Sequence, residues 1–176
     1  VLEVGPGTGN LTNEILKKNP NSFLAIEKDD DLAKELKKRF QNKVNIINNL
    51  IKAGFPRIEV SSFVSPKAIP QLADAELILN NVNRSPNTIL AALVPNARGA
   101  LRAVEAKVDE IVVFLSASES HNKKNVNRSV KESLLGFKEI ADIAGKNNIP
   151  IQGDIATAFG CPFEGNISSK KLADIS

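Results

Sequence analysis

The sequence predicts an α/β fold in which parallel strands alternate with helices. Three observations predict it. Short apolar segments typical of buried strands alternate with longer segments whose apolar residues recur every three or four positions. A glycine-rich turn directly follows the first apolar segment. Polar residues gather where the predicted strands end. Strands that alternate with helices at this spacing need crossover connections, and such connections make the strands parallel.

The first 40 residues predict strand, helix, strand and helix in that order. Residues 1–4 are an apolar strand, and residues 5–9 are a tight turn because three of the five are glycines. Residues 10–18 place their leucines and isoleucine on one side of a helix. A second apolar strand at residues 22–27 is followed by a helix at residues 30–40, whose acidic first residues favour a helix start.

The segment after residue 40 has two interpretations. Residues 44–47 fit a third strand that closes the first unit. Alternatively, apolar residues at helical spacing extend to a stop signal made of Gly54 and Pro56. The apolar residues of that helix are Val44, Ile47, Leu50 and Ile51. We favour the helix, because a strand at residues 57–60 then follows its glycine cap directly.

The alternation continues through the rest of the chain. Strands are predicted at residues 57–60, 88–94, 110–115 and 149–157. Helices are predicted at residues 73–81, 97–106 and 129–146. The long loops that lead from a strand to a helix are residues 66–70 and 118–127. Residues 50–176 therefore hold about four strand–helix units, each of the length that gives a parallel sheet with helices packed outside it.

Composition restricts the class of protein. A hydrophobic content of 42% with 24% charged residues is typical of a soluble globular protein and excludes a disordered one. The net charge of +3 is spread over the chain, so a nucleic-acid site is not expected. No apolar segment reaches the roughly 20 residues of a membrane helix. The single Cys161 excludes an intramolecular disulfide, which fits a cytoplasmic location. Because the chain opens inside an apolar strand, we expect it to be a fragment.

The first candidate site is the glycine-rich turn. Gly5, Gly7 and Gly9 lie between a predicted strand and a predicted helix, where glycines let the backbone approach a ligand closely. Glu27 comes at the end of the next strand, where a carboxylate can accept hydrogen bonds from ribose hydroxyls. The turn and the acid together predict a site for a nucleoside-containing cofactor.

Because of this turn and this acid, residues 1–49 resemble the S-adenosylmethionine-dependent ribosomal RNA adenine dimethyltransferases. The resemblance includes Leu11-Thr12, Ile26-Glu27-Lys28-Asp29 and Asn45-Ile46-Ile47. It implies a Rossmann-like fragment in which Gly5, Gly7 and Gly9 frame the methionine and ribose of S-adenosylmethionine and Glu27 holds the ribose. Where that family has an acid after its third strand, this chain has Asn48-Asn49-Leu50. The family's motif that positions the target adenine is missing from this chain, so methyl transfer is not expected.

The second candidate site is assembled from four successive strand ends. Polar residues lie at or after the end of each predicted strand: Glu59 to Ser65 lead off the end of the first, Asn96 follows the second, Ser116 to Asn125 follow the third, and Cys161 and Glu164 follow the fourth. In parallel α/β folds the carboxyl ends of the strands face the active site. The sequence therefore predicts a pocket at this end of the sheet.

From about residue 44 to residue 176 the chain resembles 3-hydroxy-3-methylglutaryl-CoA lyase, of the pyruvate carboxyltransferase-like superfamily. Matching segments include residues 58–66, 93–96, 118–119, 123–127 and 160–165. The resemblance implies a (β/α)8 TIM barrel, an acyl-CoA substrate, a divalent cation, and cleavage to acetoacetate and acetyl-CoA. It also implies that Glu59 and Ser62 line the substrate pocket, with Asn96 and Ser118 as further substrate-binding candidates.

The departures from that family concern the metal. The family's Gly-Pro-Arg-Asp-Gly supplies an arginine that polarises the substrate and an aspartate that binds the cation, whereas this chain has Gly7 and Thr8 at those places. The family's His-x-His ligands, a later asparagine ligand and the catalytic cysteine loop would follow residue 176. His121 is expected to be an exposed polar residue, and Cys161 a structural thiol. No catalytic residue and no metal ligand is therefore assigned, and no lyase turnover by this chain is expected.

The domain organisation that follows is a chimera. Residues 1–49 form a Rossmann-like methyltransferase fragment, and residues 50–176 a partial TIM barrel of a hydroxymethylglutaryl-CoA lyase-like protein. One alternative keeps a single domain, with residues 1–4 as the lyase's first barrel strand and an insertion near residues 22–40. Two alternatives concern function: a remnant that still binds S-adenosylmethionine, and a non-catalytic barrel fragment that needs a partner chain. Exposed barrel edges also predict self-association.

Overall fold

The computed structural model describes residues 2–4, 24–26 and 30–176, with side chains from Phe40 onward. The cofactor-binding candidates Gly5, Gly7, Gly9 and Glu27 lie outside the described residues, as do the predicted turn at residues 5–9 and helix at residues 10–18. The chain divides into two compact units, Val1–Leu90 and Ala91–Ser176.

The described residues of the first unit form short strands and two helices. Strand β1 (Leu2–Val4) pairs in parallel with β2 (Leu24–Ile26), with Leu2 opposite Leu24. Helix α1 (Asp30–Lys52), strand β3 (Arg57–Ser62), a 3-10 turn (Pro70–Leu72) and helix α2 (Ala75–Asn81) follow. Both helices pack against β3. The Lys43 ammonium lies 2.9 Å from the Asp74 carboxylate, which ties α1 to the start of α2.

Helix α1 differs from the prediction by being continuous. The sequence pattern placed a break after residue 40, but residues 40–53 contain neither glycine nor proline, so nothing interrupts the helical hydrogen bonds. The helix ends at Gly54, whose φ of +82° suits glycine, and the Phe55 N–H donates to the Leu50 carbonyl at 3.2 Å. The helical interpretation of residues 44–51 is confirmed, and the alternative of a third strand at residues 44–47 is wrong. Asn49, at the predicted join of the two domains, lies inside this helix.

The second unit is built on parallel strands. Strand β4 (Ile89–Leu93) places its residues 91–93 beside β5 (Glu110–Ser116), and β5 pairs in turn with β6 (Ile151–Ala156). Ile111 lies opposite Ile151 and Ser116 opposite Ala156. Helices α3 (Ala97–Glu105), α4 (Glu119–Val126), α5 (Val130–Lys146) and α6 (Ser169–Ile175) complete the unit. Helix α5 packs against both β5 and α3. The predicted alternation of helices with parallel strands is confirmed.

Helix α4 is a correction, because residues 118–127 were predicted to be a loop. Its eight residues carry no apolar stripe, but both ends have strong caps. The Ser118 hydroxyl accepts a hydrogen bond from the His121 N–H, and Asn127 adopts the left-handed conformation (φ 56°) that ends a helix. Capping and buried polar contacts therefore replace the hydrophobic face that the prediction required.

None of the helices within residues 30–176 has the length and apolar character needed to cross a membrane.

Candidate functional site

A cluster of polar side chains lies at the carboxyl ends of β5 and β6. It consists of Ser116, Ser118, His121, Cys161 and Glu164, and is called the strand-end cluster below. Ser116 ends β5 and Ser118 is the N-cap of α4, and neither side chain is exposed to solvent. The Ser118 hydroxyl lies 3.0 Å from the Cys161 sulfur and accepts from the His121 N–H at 3.1 Å. These contacts join the end of β5 to the segment after β6.

The segment after β6 is a tight loop closed by backbone hydrogen bonds. The Cys161 N–H donates to the Gly165 carbonyl at 2.7 Å, and the Gly165 N–H donates to the Cys161 carbonyl at 2.8 Å. Gly165 has a φ of +71°, which a glycine adopts without strain. Burial raises the pKa of the Cys161 thiol, but its hydrogen bond with the Ser118 hydroxyl and those from the Phe163 and Glu164 N–H groups outweigh it, so this pKa lies below its ordinary value. Cys161, which was expected to be a structural thiol, is thus hydrogen-bonded within the strand-end cluster.

Glu164 holds the first turn of α4. One carboxylate oxygen accepts from the Ser120 N–H at 2.6 Å, and the other lies 3.5 Å from the Lys171 ammonium. A carboxylate at a helix N-terminus satisfies a backbone donor that has no partner within the helix. The hydrogen bond from the Ser120 N–H is the main reason that the pKa of Glu164 is lowered to about 2. The loop after β6 and the start of α4 therefore form one hydrogen-bonded unit.

Acid is expected to weaken this unit through Glu164. Because the pKa of Glu164 is depressed in the folded protein, its stabilisation is present above the ordinary carboxyl pKa of 4.5 and is lost as the pH falls towards about 2. Chemical denaturation at a series of pH values measures it. The difference in unfolding free energy between the wild type and Glu164→Gln should shrink from pH 5 to pH 2.5. A difference that stays constant over that range would contradict the assignment, and Glu139→Gln is the matched surface control.

His121 is more engaged than the sequence predicted. It was expected to be an exposed polar residue, but it is half-buried, and its Nδ1 lies 2.7 Å from the Ser116 hydroxyl. Its ring lies 6.0 Å from the Phe163 ring, and the Lys124 ammonium lies 4.6 Å from the centre of the same Phe163 ring. The histidine thus links β5 to the loop after β6.

Asn122 is one of the polar residues that the sequence places after the third strand of residues 50–176, and the structure buries it. Its side chain is fully buried, its Oδ1 accepts from the Ser116 N–H at 2.9 Å, and its Nδ2 donates to the Arg128 carbonyl and the Ser133 hydroxyl, both at 2.9 Å. One amide therefore connects β5, the turn after α4 and α5. The sequence predicted the location of Asn122 but not these contacts; its N–H donates to the carbonyl of the N-cap Ser118, four residues earlier.

The four predicted substrate-binding residues occupy two different kinds of position. Glu59 and Ser62 share β3 in the first unit: Glu59 is exposed in mid-strand and Ser62 is the buried last residue. Asn96 and Ser118 are helix N-caps in the second unit. The Asn96 Oδ1 accepts from the Gly99 N–H at 2.9 Å at the start of α3. Ser62, Asn96 and Ser118 thus lie at or next to strand ends, Glu59 lies in mid-strand, and the two caps also have a structural task.

A divalent cation does not fit the described residues. Within residues 40–176 no group of three or more histidine, cysteine, aspartate or glutamate side chains could hold a metal ion. Metal sites in proteins need several such ligands converging on one point.

Comparison with known proteins identifies relatives of this architecture. The HMGL-like family matches residues 33–176. The mitochondrial hydroxymethylglutaryl-CoA lyase of Gallus gallus is 41% identical over 134 residues, which are 76% of this chain and 45% of that protein. The mitochondrial enzyme of Arabidopsis thaliana is 36% identical over 170 residues, 95% of this chain and 36% of that protein. The chain thus spans less than half the length of these relatives.

Solved structures show the same likeness. An HMG-CoA lyase from Acinetobacter baumannii, in complex with coenzyme A and 3-methylmalate, has a TM-score of 0.73 and 36% sequence identity, covering 99% of this chain and 50% of that one. The Bacillus subtilis HMG-CoA lyase has a TM-score of 0.75 and 34% identity, covering 99% of this chain and 52% of that one.

Proposed function

The chain belongs to the HMGL-like family, and we propose that it forms part of a hydroxymethylglutaryl-CoA lyase. The lyase resemblance of residues 44–176 is confirmed by relatives that are 36–41% identical over most of the chain. The likeness to solved lyases over 99% of this chain is the observation that carries the proposal. Because the chain spans about half of those structures, the substrate, the reaction and the partners of the whole protein are proposals.

The proposed substrate is 3-hydroxy-3-methylglutaryl-CoA, cleaved to acetoacetate and acetyl-CoA. Coenzyme A in one similar structure supports an acyl-CoA substrate. Glu59 contributes an exposed carboxylate that can accept a hydrogen bond from a substrate hydroxyl. The Asn96 Oδ1 is occupied by its helix cap, so its amide N–H₂ is the part left to donate to a carbonyl. Ser62 would donate from the end of β3. Ser118 is fully buried, and it contributes by fixing the start of α4.

The divalent cation that the family suggests would supply charge stabilisation for the enolate formed on cleavage. Since the described residues do not fit that cation, no step of the reaction is assigned to it here. The part of the reaction that falls to this chain's own side chains is binding and orientation of the acyl group. We therefore expect acyl-CoA binding without turnover by this chain alone.

Calorimetric titration of the full chain with 3-hydroxy-3-methylglutaryl-CoA tests this function. Binding is expected, with no acetoacetate formed when Mg²⁺ is added. Glu59→Gln should weaken binding about tenfold or more, because a hydrogen bond to a charged group contributes about 1.5–3 kcal/mol. Glu105→Gln, on the exposed surface of α3, should bind like the wild type. Absence of binding heat would exclude the proposed substrate, and steady production of acetoacetate would exclude the expected lack of turnover.

Residues 1–49 carry a second proposal: a Rossmann-like fragment that binds S-adenosylmethionine through Gly5, Gly7, Gly9 and Glu27. Strands β1 and β2 are parallel neighbours, an arrangement that fits a crossover connection in a Rossmann-like fragment and in a barrel alike. The lyase matches that cover 95–99% of the chain instead favour the single-domain alternative. Titrating S-adenosylmethionine into the same samples separates the two, with Glu27→Ala as the control.

Self-association or completion of the barrel by a partner chain is also a proposal. Strand β6 pairs with β5 on one side, no described strand pairs with its other side, and Ile151 on it is 38% exposed. An unpaired strand edge is a template for another strand. Sedimentation of the calorimetry samples reports any dimer.

A cytoplasmic location is proposed from the single cysteine, and the relatives include proteins named cytoplasmic and mitochondrial.

A further inference from the structure

The buried hydroxyl groups of the described residues fall into two sets. Four of them have hydrogen-bond partners: those of Thr88, Ser116, Ser118 and Ser133. Ser61 and Ser62 are also buried, at 9% exposure each, yet no described residue forms a hydrogen bond with the hydroxyl of either. A buried polar atom without a partner costs free energy, so two adjacent cases on one strand need an explanation.

The two serines face opposite sides of the sheet. Successive side chains of a strand point to opposite faces, so Ser62 shares its face with Ile58 and Val60, and Ser61 shares its face with Arg57 and Glu59. Ile58 is a buried core residue, which makes the Ser62 face the more apolar one. The Ser61 face carries the charged residues of β3. The lyase resemblance implies that Ser62 and Glu59 line the pocket together. Within β3, however, Ser61 and not Ser62 lies on the same face as Glu59.

We propose that Ser61 is a further substrate-binding residue, whose hydroxyl hydrogen-bonds the acyl group that Glu59 holds. The inference rests on the proposed function. The Cα atoms of residues two apart on one strand face are separated by about 7 Å. A hydroxy acid fits this spacing, with its hydroxyl donating to the Glu59 carboxylate and a carboxylate or thioester oxygen accepting from Ser61. The ligand then satisfies the hydroxyl that the described protein leaves without a partner.

The experiment compares affinity and thermal stability in the full chain. Ser61→Ala should weaken binding of 3-hydroxy-3-methylglutaryl-CoA about fivefold, as expected for loss of one neutral hydrogen bond. It should not lower the melting temperature of the free protein, because alanine removes a group that has no partner among the described residues. Ser62→Ala should weaken binding less than Ser61→Ala. Ser133→Ala is the stability control: it removes a partner of Asn122 and should lower the melting temperature without changing the affinity.

Each other outcome overturns a distinct statement. If the wild-type chain binds but Ser61→Ala binds equally well, the role of Ser61 is overturned and the proposed function stands. If Ser61→Ala lowers the melting temperature as Ser133→Ala does, the hydroxyl has a structural partner and the inference is also wrong. If the wild-type chain does not bind the acyl-CoA, the proposed function fails, and the role of Ser61 fails with it.

Discussion

Replacing Asn122 by alanine is expected to lower the free energy of unfolding by about 3 kcal/mol or more. The substitution removes three hydrogen bonds of a fully buried amide. It leaves the Ser116 N–H without its side-chain acceptor and the Arg128 carbonyl without its donor. Each buried polar group left unpaired costs about 1–3 kcal/mol. The loss should appear in equilibrium denaturation as a lower midpoint with an unchanged slope.

The matched control is Asn125→Ala, on the exposed side of the same helix, which should change stability by less than about 0.5 kcal/mol. Asn122→Asp should also destabilise strongly, because a carboxylate has no N–H₂ to donate to the Arg128 carbonyl. Equal stability of the Asn122→Ala and Asn125→Ala proteins would show that the buried network contributes little.

Most elements of the fold follow from local pattern, because apolar periodicity and stop signals decide them. The Ser129 N-cap with Glu132 three residues later predicts the start of α5, and both hydrogen bonds of that capping box are present. Helix α4 escaped prediction because it has no apolar stripe and buries Asn122 instead. The continuity of α1 was missed because the prediction ended the helix where its apolar periodicity changes, near residue 40. The segment contains no glycine or proline there, so the helix continues.

The sequence predicted where the candidate site lies, but it did not predict the hydrogen bonds within the site. Strand ends could be read from the sequence, and Ser62, Asn96 and Ser118 lie at or next to strand ends, whereas Glu59 lies in mid-strand. Which face a side chain takes depends on strand register, and that is why Ser61 was overlooked beside Ser62. Hydrogen bonds between distant segments are tertiary, as between Glu164 and Ser120. No local sequence pattern encodes such a contact.

Truncating Ile111 to alanine near the start of β5 is expected to lower the free energy of unfolding by about 3 kcal/mol, within the range of 2–5 kcal/mol for buried isoleucine or leucine. Ile111 is fully buried, so the lost methylene and methyl groups leave a cavity that the surrounding helices and strands can only partly fill. Denaturant titration measures the loss.

Strand β6 supplies a control of the same residue type at the neighbouring position. Ile151 is the register partner of Ile111, so both side chains lie on one face of the sheet, but Ile151 is 38% exposed. The same truncation at Ile151 removes the same atoms and should cost about 1 kcal/mol or less, since less apolar area leaves water on folding. A similar loss at both positions would mean that β6 is covered in solution, as a dimer formed through this edge would cover it. The comparison therefore distinguishes an exposed edge strand from one that is buried by another chain.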